Sequence, residues 1–439
     1  MARQARQAFR KLRADLIRDV CASSQPLLSP LAIVRGDAEA KSRLEGLAAC
    51  LSERDRGMGG ARLASALDLC GRHHEALEIL DQLQELTVAE RGAVRLLTGM
   101  VRQHIQWQGQ RERREKSEQK AEVVNVEVVS ELSFQQRKQE YFQGLPCVVR
   151  GAPGPRWTPE DLKMALGRSR VPVRRCDDSS SNWAALEFVA GVKFSDFYAA
   201  HIEPYLHGRS AARDAPQLFD HSIWQSQNLE KLELCMPSRF FPVDLYTWAS
   251  ARIHPVTGSA GPTLFLAARG TGSSLHVDTL QTHFWMMLCH GRKRWRLVHK
   301  EDISLLRPLY LADLNPVFPT NLDGMGGVTG IRVHEILLQP GDLIFVPAGW
   351  PHQVENWETS VAVSANFIDT SNAEKCIEEA ELLGQVEEDP QLLAQALRHA
   401  LQDVERLEKE ALPNESLRAF KARHGEKWAP HEVQSALKV

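Results

Sequence analysis

The chain has 439 residues, 25% of them charged and 43% hydrophobic, with a formal net charge of −3 and a pI near 6.6. That length supports two or three domains with a sizeable core, and the near-neutral balance excludes a globally basic nucleic-acid binder. No apolar run reaches the roughly 18 residues of a membrane span. The eight cysteines show no CxxC pair and no zinc-like spacing, which fits a reducing compartment, cytoplasmic or nuclear, without a disulfide framework.

The opening stretch MARQARQAFRKLRADL is arginine-rich and amphipathic. An organelle transit peptide has this character, although Asp15 and Asp19 weigh against one. Residues 1–120 are rich in Leu, Ala, Arg and Glu with apolar residues at helical spacing, which predicts a helical N-terminal region. Within it, 61–86 places Leu63, Leu67 and Cys70 on one face, breaks at Gly71, and resumes with Ala76, Leu77, Leu80 and Leu83. The pattern resembles a tetratricopeptide-type hairpin, but a solenoid needs about three repeats, and a plain helical subdomain explains it as well. The charged run RERREKSEQK (111–120) reads as a solvated helix end or linker.

At EVVNVEVVSELSF the composition switches to β-branched residues, and LPCVVRGAP follows with a short strand stopped by Gly151 and Pro153. Over 121–372 short apolar runs such as TLFLAAR, HFWMMLCH, RWRLVH, EILLQPGDLIFVPAGW and SVAVSANFI are cut by turn residues. This predicts a β-sandwich or barrel, with helices TPEDLKMALG and KFSDFYAAHI at its edge. RVPVRRCDDSSSNW (170–183), carrying Arg170, Arg174 and Arg175, reads as a solvated surface loop near a substrate entrance. Residues 373–439 return to helix, and PQLLAQALRHALQDVERLEKEAL has a period near 3.6. Its apolar stripe needs a partner, either the barrel or a second subunit, so a homodimer through these helices is one expectation.

The stretch SSLHVDTLQTHFWMMLCHGRKRW (273–295) carries the chemistry. Residues i and i+2 of a strand share a face, so His276 and Asp278 point the same way while Val277 points the other. In QPGDLIFVPAGWPHQVEN, turns at Pro340–Asp342 and Pro347–Gly349 bracket a buried strand and hold His352. Two histidines and a carboxylate on a β-barrel form the facial triad of non-haem Fe(II) oxygenases, which leaves positions open for a cosubstrate and dioxygen. His299 and His334 read as ordinary core or surface residues. Lys293 follows Gly291 at an expected hairpin turn, which sets its ammonium beside the same cavity; a buried ammonium must find an anion or lose its proton, and the far carboxylate of 2-oxoglutarate is such an anion. Phe284, Trp285, Met287, Phe345 and Val346 are candidates for the cavity's apolar wall or for barrel core.

LPCVVRGAP, PSRFFPVDLYTW, GTGSSLHVD, GRKRW and PGDLIFVPAGWPHQVEN, in that order, resemble segments of the Jumonji C (JmjC) domains of the cupin superfamily, specifically the small JmjC protein hydroxylases of the lysyl-hydroxylase group. The matching stretch runs from about 130 to 370. The resemblance implies a mainly β double-stranded β-helix (jelly-roll) domain with flanking helical regions. It implies that His276, Asp278 and His352 bind Fe(II) and that Lys293 pairs with 2-oxoglutarate. Ser273 stands where the family often has a threonine for the same carboxylate, Ser364 and Asn366 match polar positions lining the cosubstrate pocket, and Asn356 supports them. Met286 replaces an amide found in relatives, and a tyrosine supplied by an earlier strand has no clear match, with Tyr205 or Gln217 as substitutes.

The function so implied is an Fe(II)- and 2-oxoglutarate-dependent dioxygenase that hydroxylates a protein or peptide side chain, with succinate and CO2 as coproducts and O2 as cosubstrate. JmjC demethylation and oxidation of a tRNA base are the alternative reactions; the latter needs a basic stripe with exposed aromatics. A cupin-fold scaffold that binds partners without turnover is the alternative of another class.

Overall fold

The computed structural model describes residues 1–22, 28–51, 56–115, 122–223, 240–241, 244–247, 249, 261–319, 322–323, 330–402 and 404. The N-terminal helices are α1 (Ala2–Leu12), α2 (Ala14–Ala22), α3 (Pro30–Arg35), α4 (Ala38–Cys50), α5 (Met58–Leu69), α6 (His73–Asp81) and α7 (Val88–Glu115). Their boundaries follow local chemistry. Ser29 caps α3 with Pro30 in its first turn, and the Asp37 carboxylate accepts the Glu39 and Ala40 amides at the start of α4. The break at Gly71 takes φ +84°. There the Gly71 amide donates to Asp68 O and the Arg72 amide to Leu67 O, both at 2.9 Å, a Schellman ending that only a left-handed residue closes without strain. α5 and α6 therefore form the hairpin anticipated for 61–86, and α7 and α1 pack with it into one core that also takes in Leu311, Leu314 and Val386. Of the charged run, 111–115 extends α7 and 116–120 lies outside the described residues. None of the helices among the described residues is long and apolar enough to cross a membrane.

The strands are β1 (Glu122–Asn125), β2 (Glu127–Val129), β3 (Cys147–Val149), β4 (Arg170–Cys176), β5 (Leu186–Lys193), β6 (Gln217–Ser222), β7 (Thr263–Ala267), β8 (Gly272–His276), β9 (His283–His290), β10 (Lys293–Val298), β11 (Leu309–Tyr310), β12 (Pro316–Val317), β13 (Arg332–Leu338), β14 (Leu343–Val346), β15 (His352–Asn356) and β16 (Ser360–Phe367). They form a five-stranded sheet, β1-β13-β10-β15-β8, and a nine-stranded one, β2-β3-β14-β9-β16-β7-β6-β4-β5, with β11 and β12 as a separate pair. From β7 to β10 and from β13 to β16 successive strands cross between the two large sheets, the winding of a jelly roll. Phe265, Phe284, Met286, Leu288, Trp295, Ile344 and Val354 fill the space between them. On β9 the alternate residues Trp285, Met287 and Cys289 face the opposite side of the larger sheet. That side is covered by α8 (Glu131–Phe142), α9 (Pro159–Leu166) and α10 (Phe194–His201), so both faces of β9 are buried and its sequence reads as an unbroken apolar run.

Two expectations are corrected. β9 and β10 do not pair and lie in different sheets, so Gly291 makes a corner between the sheets rather than a hairpin turn. Its φ of +76°, and the collision of any Cβ there with the Thr359 carbonyl, explain the glycine. Residues 170–176 are not a solvated loop but strand β4, paired with β5 and β6. Val171, Val173 and Cys176 are buried while the arginines between them lie at the surface or half-buried, the signature of a strand with one covered face.

The C-terminal helices are α11 (Ala373–Leu383) and α12 (Glu388–Gln402). Ala373, Cys376, Ile377 and Ala380 pack against Leu393, Ala394, Leu397 and Ala400, with Leu245 and Ile368 beneath. The stripe of 390–402 is thus covered within the chain; the rest of that predicted helix, from 405 on, lies outside the described residues.

A buried polar clamp ties the helical bundle to the β-region. Arg13 and Asp68 are both fully buried and pair at 2.7 Å. The guanidinium also donates to Leu311 O at 2.6 Å and Tyr310 O at 2.7 Å. Asp68 Oδ1 takes the Nδ1 of His73 at 2.7 Å and of His104 at 2.8 Å, and His104 Nε2 accepts the Tyr310 amide at 2.9 Å. Replacing Asp68 with Ala strands the buried guanidinium, so Asp68→Ala is expected to lower the unfolding free energy by about 3–5 kcal/mol in equilibrium urea denaturation, and Arg13→Met/Asp68→Leu by markedly less. A loss below about 1 kcal/mol for the single variant would show that the pair is not desolvated.

Candidate metal and cosubstrate site

β8 is an edge strand of the smaller sheet and ends at His276. Asp278 lies two residues on, just outside the strand, but with φ −64° and ψ 144° it is still extended. Its side chain therefore faces the same way as that of His276, as the i, i+2 spacing predicts. His352 opens β15 and stands directly opposite His276 in the antiparallel register, with ring centroids 4.2 Å apart. One donor atom each from His276, Asp278 and His352 lies within 4.8 Å of the other two.

The imidazole tautomers follow from backbone contacts. His276 Nδ1 lies 2.6 Å from Ser274 O, and His352 Nδ1 lies 3.0 Å from Trp350 O. A carbonyl only accepts, so each Nδ1 carries the proton and each Nε2 keeps a free lone pair, the arrangement that orients metal-binding histidines. Burial, then the neighbouring His352, holds His276 well below the usual histidine range, which keeps it neutral. Trp295 and Phe284 stack on His352 at 5.4 and 6.3 Å. Burial pushes the Asp278 carboxyl up, opposed by His352 and a bond from Asn366.

The loop after Asp278 is strained: Leu280 and Gln281 take φ of +57° and +49°, backbone that non-glycine residues adopt at a cost. Helix α11 holds it. Glu379 accepts from the Leu280 amide and from Gln281 Nε2, both at 3.0 Å, while Asn372 Nδ2 donates to Gln281 O at 2.8 Å. No sequence motif marks these residues, because their partners lie about a hundred positions away.

Lys293, the first residue of β10, is buried in the same cavity. Its Nζ donates to Asn356 Oδ1 at 2.5 Å, and that amide is fixed by Thr271 Oγ1 at 3.0 Å and Ser360 Oγ at 2.8 Å. Burial lowers the Lys293 pKa to about 7. An ammonium offers three donors, and this one meets a neutral amide where charge balance calls for an anion.

The cavity, of about 80 Å³ and open to solvent, is lined by His276, Asp278, His352, Lys293, Ser273, Ser364, Asn366 and Asn356, all singled out from the sequence. Asn366 Nδ2 also donates to Thr282 Oγ1 at 2.9 Å, and the Ser364 and Thr263 hydroxyls lie 3.4 Å apart. Gln217 and Met286 line it too, Gln217 anchored through Nε2 to Gly272 O at 2.7 Å. Tyr205 does not line it and is met at its carbonyl by Thr359. Of the five apolar candidates only Phe284 reaches the cavity; Trp285, Met287 and Phe345 serve the outer core and Val346 the inner one. His299 and His334 pack on Trp350 at 4.9 and 5.0 Å. Trp183, Phe219 and Asp220 line the cavity without having been anticipated. Trp183 sits in the segment read as a loop, its indole edge-on to His276 at 4.6 Å and its Nε1 donating to Val277 O at 2.8 Å.

Comparison with known proteins agrees with this architecture. Residues 263–367 match the family "JmjC domain, hydroxylase". The chain is 24% identical over 221 residues to the mouse 2-oxoglutarate and iron-dependent oxygenase JMJD4, covering 48% of this chain and 50% of that protein. It is 27% identical over 114 residues to the Arabidopsis thaliana arginine-specific demethylase JMJ20, covering 25% of this chain and 24% of that protein. To the Caenorhabditis elegans bifunctional arginine demethylase and lysyl-hydroxylase psr-1 it is 26% identical over 181 residues, covering 36% and 42%. The chain thus spans half or less of the length of these curated relatives. With the two wound sheets and the cavity between them, this match identifies residues 263–367 as resembling a JmjC domain.

Proposed function

We propose that the chain is an Fe(II)- and 2-oxoglutarate-dependent dioxygenase that hydroxylates a side chain of a protein or peptide, releasing succinate and CO2. The observation that carries this reading is the buried Lys293 ammonium, in no ion pair among the described residues, in one cavity with His276, Asp278 and His352. Neutral Nε2 atoms and one carboxylate suit a ferrous ion and leave sites free for other ligands. Charge balance supports the pair: a divalent cation, the Asp278 carboxylate and protonated Lys293 sum to two positive charges, which the dianion 2-oxoglutarate neutralises. Ferrous iron, when bound, supplies the oxygen-activating redox chemistry that these side chains lack.

The protein's own groups hold and orient. Trp350 O and Ser274 O fix the imidazoles, α11 fixes the loop behind Asp278, and Asn356 aims Lys293. Phe284, Met286 and Trp295 wall the cavity and strengthen each electrostatic contact by excluding water. Two of the relatives are named as demethylases, which supports a second reading, hydroxylation of an N-methyl group with loss of formaldehyde. Formaldehyde release against a stable gain of one oxygen separates the two.

Anaerobic titration with Fe(II) and 2-oxoglutarate is expected to give a weak visible charge-transfer band in the wild type. His352→Ala and Asp278→Ala should abolish it, whereas Lys293→Met should keep metal binding and weaken cosubstrate binding on the order of 100-fold, as loss of a desolvated charge pair costs a few kcal/mol. Full cosubstrate turnover by His352→Ala would refute the assignment.

Without cosubstrate, Lys293 is a stability liability. Below pH 7 both folded and unfolded chains hold it protonated and its burial cost is full; as pH rises from about 7 towards the usual 10.5 the folded chain gives up the proton first and the cost fades. Lys293→Met is therefore expected to stabilise the ligand-free protein by about 1–4 kcal/mol at pH 6, and by progressively less up to pH 10. Urea denaturation at several pH values reads this, and destabilisation at pH 6 would mean that Lys293 already has a buried counter-ion.

A further inference from the structure

We propose that the open face of β4 and β5, where Arg170, Arg174 and Lys193 surround Phe188, docks an acidic stretch of the peptide substrate beside its target residue. The inference rests on the oxygenase reading and adds a second point of contact for what that oxygenase accepts.

Val171 and Val173 are buried with α9 and α10, so Arg170, Pro172 and Arg174 point to the other face of β4, the one on which the cavity lies. Pairing carries that face outwards. Gln217, which lines the cavity, stands opposite Arg174, and Arg174 stands opposite Phe188. Three adjacent strands thus present a cavity residue, a cation and an aromatic ring in one row, about 5 Å from strand to strand. Arg174 also acts electrostatically on Asp220, which a β-bulge in β6 turns into the cavity. The smaller sheet stops at β8, which meets β4 at Cys176, where Sγ lies 3.3 Å from Ser274 Oγ. Past that point the row lies open: Phe188 is 60% and Val189 47% exposed, Arg170 and Lys193 are exposed, and Arg174 is half-buried.

Arg170 stands directly opposite Lys193, and like charges so placed cost a sheet stability. Among the described residues the ion pairs of this region, Lys163 with Glu203 and Arg175 with Asp177, include none of Arg170, Arg174 and Lys193. Arg170 donates to the Gly191 carbonyl, which does not neutralise it. An anionic segment laid across this face would offset the repulsion, and Phe188 with Val189 would give it an apolar floor. Two strand spacings separate Gln217 from Phe188, which is about three residues of extended peptide, so the acidic positions fall two to five residues from the target. Three cations and one exposed ring match a few residues of peptide; a nucleic-acid strand calls for a longer basic track with bases stacked on successive rings.

The test measures binding apart from turnover, by fluorescence anisotropy of labelled twelve-residue peptide pools on the full chain loaded with Mn(II) and 2-oxoglutarate. Each pool is randomised except for four adjacent positions held as Glu, as Gln or as Lys. Wild type is expected to bind the Glu pool about tenfold more tightly than the Gln pool, the sum of two or three exposed charge contacts, and the Lys pool most weakly. The differences should fade by about 0.5 M NaCl. Arg174→Glu/Lys193→Glu should invert the order, and Phe188→Ser should weaken every pool, while the thermal unfolding midpoint and the anaerobic charge-transfer band with Fe(II) stay as in wild type. Equal affinities for the three pools, or an unchanged order in the double variant, would overturn the inference. So would mixed-sequence single-stranded RNA that binds more tightly than the Glu pool and loses that binding in the double variant. A wild type without the band would instead overturn the oxygenase reading beneath it.

Discussion

An ammonium buried between two sheets, with one neutral hydrogen-bond partner among the described residues, sets the terms for this molecule. Lys293 sits where β10 begins, and the corner at Gly291 that delivers it there exists because β9 and β10 belong to different sheets. A fold that only needed stability would place an apolar residue at such a point, since a buried unpaired cation is among the more costly features a core can hold. The cavity that Lys293 shares with His276, Asp278 and His352 would give that cost a purpose under the function proposed above: an anion and a metal held there would offset it.

The same logic runs outward from the cavity. The two imidazoles are fixed by backbone carbonyls of their own strands or turns and by the β8–β15 pairing, with Trp183 packed on His276 and Trp295 on His352. Asp278 is different. It lies past the end of β8, and its loop is braced by Glu379 and Asn372 from α11. α11 in turn packs on α12, with Ile368 beneath. Arg13 and Asp68 dock the N-terminal bundle onto the 310–311 segment, so helices at both ends of the chain contribute to one scaffold. Asp68, His73 and His104 are also close enough to hold a cation, but His104 Nε2 takes the Tyr310 amide and Asp68 is paired with Arg13, which commits their lone pairs to the clamp.

Much of this was legible in the sequence because its determinants are local. Strand alternation, the turn residues around Leu343–Val346 and the H-x-D spacing each depend on neighbours a few positions away, and His276, Asp278 and His352, which they mark, do meet in one cavity with Lys293 and with Ser273, Ser364 and Asn366, which the family resemblance implied. What escaped notice depends on partners far along the chain. β4 was obscured because Arg170, Arg174 and Arg175 on its surface side outweigh Val171 and Val173 on its covered side. The Gly291 corner mimics a hairpin in composition and differs only in which sheet each strand joins. The bulge that presents Asp220 appears only when β6 is laid against β7, and Glu379 looks like any solvated helix residue until the loop at Leu280 is seen against it.

The central claim is that one divalent metal and one dicarboxylate occupy this cavity together, and anomalous diffraction from crystals soaked with Mn(II) and 2-oxoglutarate tests it most directly. The account predicts a single strong manganese peak bonded to His276 Nε2, His352 Nε2 and Asp278, with the far carboxylate of the cosubstrate on Lys293. A peak at the Asp68–His73–His104 cluster instead, or a cosubstrate bound away from Lys293, would contradict it.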